Sequence, residues 1–181
     1  MPGAILATTH LSGTIFWMSI PPDSSLPDLI IVGGGLAGCE AAWQAAQRGV
    51  HVHLFEMRPL RQTGAHTSGA LAEIICSNSL GSVLPDRASG LLKQELARLG
   101  CLLLECANAS ALPAGGALAV DRQVFSSLVT DRIYNHPLIK VIREEVTQCP
   151  NQPAVIASGP LTSPSLAQSV QSFTSLEHLF F

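Results

Sequence analysis

Three glycines, Gly33, Gly35 and Gly38, stand between a short apolar run and an alanine-rich stretch, and this arrangement constrains the fold more than any other feature of the chain. The preceding residues, Leu29–Val32, are apolar and mostly β-branched. Four such residues are too few for a helix and suit a strand buried in a parallel sheet. Residues 36–48 follow as a helix rich in Ala and Gln, with Gly49 as its C-terminal cap. Residues 50–55 read as a second strand. Strand, tight turn, helix and strand form a βαβ unit, in which the crossover is right-handed. The expected fold class is therefore α/β and Rossmann-like.

Each glycine of such a GxGxxG run has a physical task. The first permits the tight turn, the second lets backbone approach a pyrophosphate, and the third lets the helix pack closely on the strand. The free amides at the helix start, around Gly34, Leu36 and Ala37, present partial positive charge to phosphate. Glu56 ends the second strand, where a carboxylate accepts hydrogen bonds from an adenosine ribose. An acid there argues against a 2′-phosphate, hence against NADP at this site. The bland alternative is a glycine turn with no ligand. Strand, glycines, helix and acid in one register favour a dinucleotide. The segment "PAVIASGP" reads as a short buried strand ending in a turn at Gly159, like the late segment that approaches the cofactor in glutathione-reductase-type FAD folds. Val146 closes the run "LIKVIREEV", read as a strand whose end meets adenine in such folds.

The remaining organisation is coarser. A chain of 181 residues suits one domain or one and a fraction. With 47% apolar and 13% charged residues and a net charge of −3, it lacks the basic footprint of a nucleic-acid binder. Residues 1–27 read as a disordered extension, with Met18 as a candidate alternative start. They have neither the charged start of a signal peptide nor the length of a membrane span. Residues 28–181 read as the N-terminal part of a nucleotide-binding domain. Within it, 57–70 is a loop, 89–99 a helix capped by Ser89 and stopped by Gly100, "LLLECA" a strand, and "ALPAGGALAV" a turn-rich segment. A helix from the N-cap Asp121 to Asn135 and another from Thr162 follow. The tail "LEHLFF" has the look of a truncated end.

The five cysteines, Cys39, Cys76, Cys101, Cys106 and Cys149, form no CxxC pair and no zinc spacing, so no metal site is expected. Cys39 packs as a small residue on the first helix, and Cys101, Cys106 and Cys149 read as reduced, mostly buried thiols. By composition alone Cys76 is a core thiol too. The polar Ser77, Asn78 and Ser79 after it mark an exit from the core, and hence the edge of a site. Arg58 and Arg61 could meet phosphates or lie in a solvated loop, His66 could belong to a site, and Arg122 could neutralise a phosphate or sit on the surface. His51 and His53 share one strand face and read as structural.

The strings "GGGLAGCEAAWQAAQRGVHVHLFEMRP", "AEIICSNSL", "LLKQEL", "PAGGALAVDR" and "VIREEV", in this order across residues 28–181, resemble the folate- and FAD-dependent tRNA (uracil-5-)-methyltransferase family. The resemblance implies a Rossmann-like FAD-binding fold of the glutathione-reductase type, incomplete at its C-terminal end. It implies a bacterial, cytoplasmic flavoenzyme that methylates a T-loop uridine at C5, with methylenetetrahydrofolate as one-carbon donor and FAD reduced by NAD(P)H. Its partners would be tRNA, met mainly through the portion this chain lacks, and folate, with no membrane. It places Cys76 near the flavin as a catalytic residue. The family's other functional cysteine lies beyond this chain, and the division of labour between the two stays open. Family chains are more than twice as long, so the chain reads as a portion unable to complete the reaction alone. Gly81 stands where the family is expected to carry a basic residue. A wobble-uridine-modifying relative, another FAD reductase, and a non-catalytic FAD-binding remnant are the alternatives.

Overall fold

The computed structural model describes residues 27–175, and the readings made for the N-terminal extension and the terminal tail lie outside the described residues. Strand β1 (Leu29–Val32), helix α1 (Leu36–Ala46) and strand β2 (Val52–Phe55) form the expected βαβ unit. They are followed by β3 (Ser79–Ser82), α2 (Ala88–Arg98), α3 (Leu102–Ala109), β4 (Ala111–Leu112), β5 (Ala117–Val120), α4 (Arg122–Tyr134), β6 (Ile139–Ile142), β7 (Ala154–Ile156) and α5 (Pro164–Thr174). The main sheet runs β6-β2-β1-β7, every pair parallel. A second, antiparallel sheet runs β3-β5-β4. From β1 the chain crosses to β2 on one side, while β7 returns on the other. The strand order thus reverses beside β1, and in open α/β sheets that is where a ligand cleft opens at the carboxyl ends.

The core lies between the main sheet and its helices. Ile31, Val52 and Leu54 meet Cys39, Ala42 and Ala46 of α1, with Leu102, Cys106 and Ala107 of α3 and Phe125, Val129 and Ile133 of α4 in the same cluster. Small residues on α1 let the helix lie close to the strands, as the sequence reading of Cys39 required. Its thiol is buried and donates to the Gly34 carbonyl at 3.3 Å.

Several expectations are corrected. The run 102–107 is helical, not a strand, because an apolar run of that length has no period that separates the two. Here a tertiary cap decides: the Glu40 carboxylate on α1 accepts from the amides of Leu102 and Leu103 at 3.2 and 2.9 Å. Such a cap satisfies two of the orphan donors that a helix start exposes. Ser89 caps nothing; α2 begins one residue earlier behind Arg87, and the Ser89 hydroxyl donates to the Ser82 carbonyl instead. The segment 111–120 contains the β4–β5 hairpin. Strand β7 is exposed along all three residues, since it is the sheet edge and pairs only with β1 among the described residues. Two strands are shorter than read, β2 beginning at Val52 and β6 ending at Ile142. Asp121 caps α4 as expected, accepting from Gln123 and Val124, and Ser163 caps α5. Cys106 is buried while Cys101 and Cys149 are half-buried, and the cysteines are all free.

Candidate nucleotide site

The carboxyl ends of β1, β2 and β7 meet around a cavity of about 300 Å³. The glycines explain how closely its walls approach. Gly33 has φ +109°, and a Cβ there would stand 2.6 Å from the Ala157 carbonyl oxygen after β7. A Cβ on Gly38 would stand 1.8 Å from the Gly33 carbonyl oxygen. Backbone therefore packs on backbone at both positions. Gly35 differs: a Cβ there meets nothing within 4 Å, yet the residue lines the cavity. Its bare side is open to a ligand and not to the protein. That is the division of labour expected of a dinucleotide turn, so the residues present fit the group.

Of the residues read from sequence, Gly33, Gly35, Leu36, Ala37, Glu56, Arg58, Val146 and Gly159 line this cavity. Gly34 and Gly38 form the layer behind it. The Gly34 amide donates to Glu56 Oε2 at 2.9 Å, which ties the turn to the end of β2. Arg61 pairs with Glu145 on the rim. His66, weighed as a site residue, lines the cavity.

Arg58 corrects its reading. It is not in a solvated loop: its side chain is 2% exposed, and the residue lines the cavity. Its Nε donates to Glu56 Oε1 at 3.0 Å and Nη2 to Glu56 Oε2 at 3.1 Å. Nη1 reaches Glu73 Oε2 at 3.0 Å. Sequence reasoning missed Glu73, because nothing local pairs an acid with an arginine 15 residues before it. Its carboxylate also accepts from the amides and hydroxyls of Thr67 and Ser68. Burial pushes the Glu73 carboxyl up, but the Thr67 and Ser68 hydrogen bonds outweigh it and hold the group at about 2. Burial likewise opposes ionisation of Glu56, and the Arg58 and Gly34 bonds outweigh it, so its carboxyl also lies below the usual range.

Cys76 does not line this cavity. Its neighbour Ile75 does, while Cys76 itself is exposed in a separate depression shared with Asn78, Asp121 and Arg122. Arg122 therefore sits with the thiol and not with the glycine turn. Burial pushes the Cys39 thiol up to about 12 and the Cys106 thiol to about 11, and raises Cys101 as well. An alkylating reagent attacks the thiolate. Iodoacetamide on the native chain is thus expected to label Cys76 first and leave Cys39 and Cys106 for the unfolded chain. Peptide mapping at short reaction times checks this, and early modification of Cys39 would contradict the packing described.

Among the described residues no helix is long and apolar enough to cross a membrane, and no group of three or more acidic, His or Cys side chains could hold a metal ion.

The family model described as "Glucose inhibited division protein A" matches residues 28–171. The chain belongs to this family. It is 57% identical over 157 residues to the methylenetetrahydrofolate–tRNA-(uracil-5-)-methyltransferase TrmFO of Synechococcus sp. (strain JA-3-3Ab), covering 87% of this chain and 35% of the relative. It is 53% identical over 156 residues to the protein of the same name from Rubrobacter xylanophilus, covering 86% of this chain and 35% of the relative. The kinship expected from "EMRP", "CSNSL" and "PAGGALAVDR" is thereby met. The chain spans about a third of the length of these relatives. Among solved structures, Aquifex aeolicus GidA superposes with a TM-score of 0.54 at 20% identity, covering 69% of this chain and 21% of that one. The Rossmann-like α/β fold read from the sequence is the fold observed.

Proposed function

We propose that this chain is the dinucleotide-binding portion of a folate- and FAD-dependent enzyme that methylates a T-loop uridine of tRNA at C5. The carrying observation is Gly35, whose open side faces a cavity walled by three parallel strand ends, in a chain 57% identical to a methyltransferase of that name. FAD would lie with its pyrophosphate at the start of α1. There the amides of Leu36 and Ala37 and the helix dipole favour an anion. Glu56 would face the adenosine ribose, and the backbone at Val146 and Gly159 would close the opposite wall. When bound, FAD supplies the reducing equivalents that turn a methylene unit from methylenetetrahydrofolate into a methyl group, with NAD(P)H as the reductant.

Cys76 is the catalytic thiol of this portion. Uracil C5 is a poor nucleophile until a thiolate adds at C6, and an exposed thiol one residue from the cavity wall is accessible for such chemistry. The tRNA is met mainly by the length of the relatives that this chain does not span, in keeping with its net charge of −3. The enzyme works in the cytoplasm. One observation favours a second reading, a flavin-binding module without transfer activity: Cys76 lies in a depression apart from the nucleotide cavity.

The purified chain is expected to carry a flavin spectrum. Methylene transfer to unmodified tRNA is then measured with and without Cys76→Ala. A chain that takes up no FAD rules out the cofactor assignment. Transfer that survives the alanine unchanged rules out the role of Cys76.

A further inference from the structure

The strap between β2 and β3 places one titratable side chain on the cavity wall that the glycine turn and the carboxylates leave unexplained. His66 lines the cavity and its Nδ1 lies 2.6 Å from the Thr63 hydroxyl. The direction of that bond follows from counting. Thr63 Oγ1 accepts from the amides of Ala65 and His66, at 3.4 and 3.2 Å. A hydroxyl oxygen has two acceptor positions and one proton. With both positions taken, the Thr63 proton points at His66 Nδ1, which must accept it. In a neutral imidazole the remaining proton is then on Nε2. Burial, and after it the positive charge of Arg58, hold the His66 ring below its ordinary pKa, against the smaller opposing pull of Glu73 and Glu56. The ring is neutral near pH 7.

The same counting shows most of the neighbouring side-chain donors to be spent. Thr162 donates to the Gly159 carbonyl at 2.6 Å, so the Ser158 hydroxyl, 2.6 Å from Thr162, donates to it. Arg58 directs four N–H groups at Glu56, Glu73 and the Ser68 carbonyl. His66 Nε2–H makes no hydrogen bond to the protein among the described residues. We propose that His66, fixed by Thr63 in its Nε2–H tautomer, is a positioned donor to an acceptor oxygen on the ribose–pyrophosphate portion of the dinucleotide held in this cavity. This rests on the dinucleotide reading above and adds a ligand contact to it. Arg58 directs four of its five N–H groups at the carboxylates and the Ser68 carbonyl, and His66 adds an uncharged donor beside it.

Two measurements test it. Nitrogen-15 NMR of the histidine-labelled chain reads the tautomer of His66 directly. The expected result is Nε2–H, kept in Thr63→Ser and lost as the dominant form in Thr63→Val, with the Nε2 proton slowed in exchange when FAD is added. Titration with FAD then reads affinity. His66→Ala is expected to bind about fivefold more weakly, and His66→Gln, whose amide N–H reaches the position of Nε2, to stay within about twofold of the parent chain. An Nδ1–H tautomer in the parent chain overturns the proposal whatever the binding data. Equal FAD affinity in the parent and His66→Ala overturns it while leaving the dinucleotide site intact. A parent chain that binds no FAD removes the dinucleotide reading and this proposal with it. The tautomer and exchange measurements need no variant, so a failure of His66→Ala to fold leaves the test standing.

Discussion

Gly38→Ala is expected to destabilise the βαβ unit strongly, while Gly35→Ala leaves the fold's stability intact and weakens the binding of a dinucleotide. Both replace a motif glycine by the smallest side chain, and geometry separates them. At position 38 the new Cβ would stand 1.8 Å from the Gly33 carbonyl oxygen and 3.0 Å from its carbon. Neither partner is a flexible side-chain end. Relief requires moving α1 off the end of β1, and that packing carries part of the buried core at Ile31, Cys39 and Ala42. Overpacking of this severity costs roughly 3 kcal/mol or more, a large share of the stability of any single domain. For a chain of this size that lowers the melting temperature by about 10 °C. Gly35 has φ −75°, which alanine adopts freely, and no atom within 4 Å of the added Cβ. Its melting temperature should stay within about 2 °C of the parent chain. The methyl group enters the cavity where a pyrophosphate would approach backbone, so FAD affinity should fall about tenfold or more. Equal melting losses in both variants, or full FAD affinity in Gly35→Ala, would show that the cavity is not the ligand face of the turn.

The different fates of these two glycines follow from a motif that was legible in the sequence, and the reason is local. A four-residue apolar run, three glycines and an alanine-rich helix carry their own geometry within about thirty residues, so no distant contact is needed to read them. The cap at Asp121 was legible for the same reason, since a side chain two or three residues from its partners announces itself. Where distant residues decide, the sequence was silent or misleading. Residues 102–107 are helical because Glu40, about sixty residues earlier, satisfies the amides of Leu102 and Leu103. Cys76 follows a run that enters the core, which made it look buried by composition. The family resemblance moved it to a site, and the structure finds it exposed but beside a different depression from the glycine turn. Arg58 looked like a free basic residue in a loop because its partner Glu73 lies beyond two glycines and a proline with no periodic relation to it.

Arg58→Ala should destabilise the chain by roughly 3–5 kcal/mol at neutral pH, the loss expected when one partner leaves a buried ionic cluster. The guanidinium is held between two carboxylates whose side chains are 7% and 13% exposed, so its removal leaves two largely desolvated negative charges facing each other. Arg58→Lys keeps the charge but cannot span both acids with a planar fork, and should recover only part of the loss. The pH dependence distinguishes charge from packing. The folded-state pKa of Glu73 is depressed from 4.5 to about 2 and that of Glu56 is also lowered. For a depressed carboxyl the stabilisation is complete above its ordinary value and disappears as pH falls through the folded-state value. The parent chain should therefore lose stability between about pH 4.5 and pH 2 as these acids take up protons. In Arg58→Ala Glu56 has lost the cation that lowers its pKa and protonates at higher pH, which relieves the variant, while Glu73 keeps its Thr67 and Ser68 hydrogen bonds. The gap between the two chains in urea unfolding should thus be widest at pH 7 and clearly narrower at pH 3. A gap of the same size at both values would mean that Arg58 acts by filling space, and the tie it makes between Glu56 on the cavity wall and the strap at Glu73 would carry no electrostatic weight.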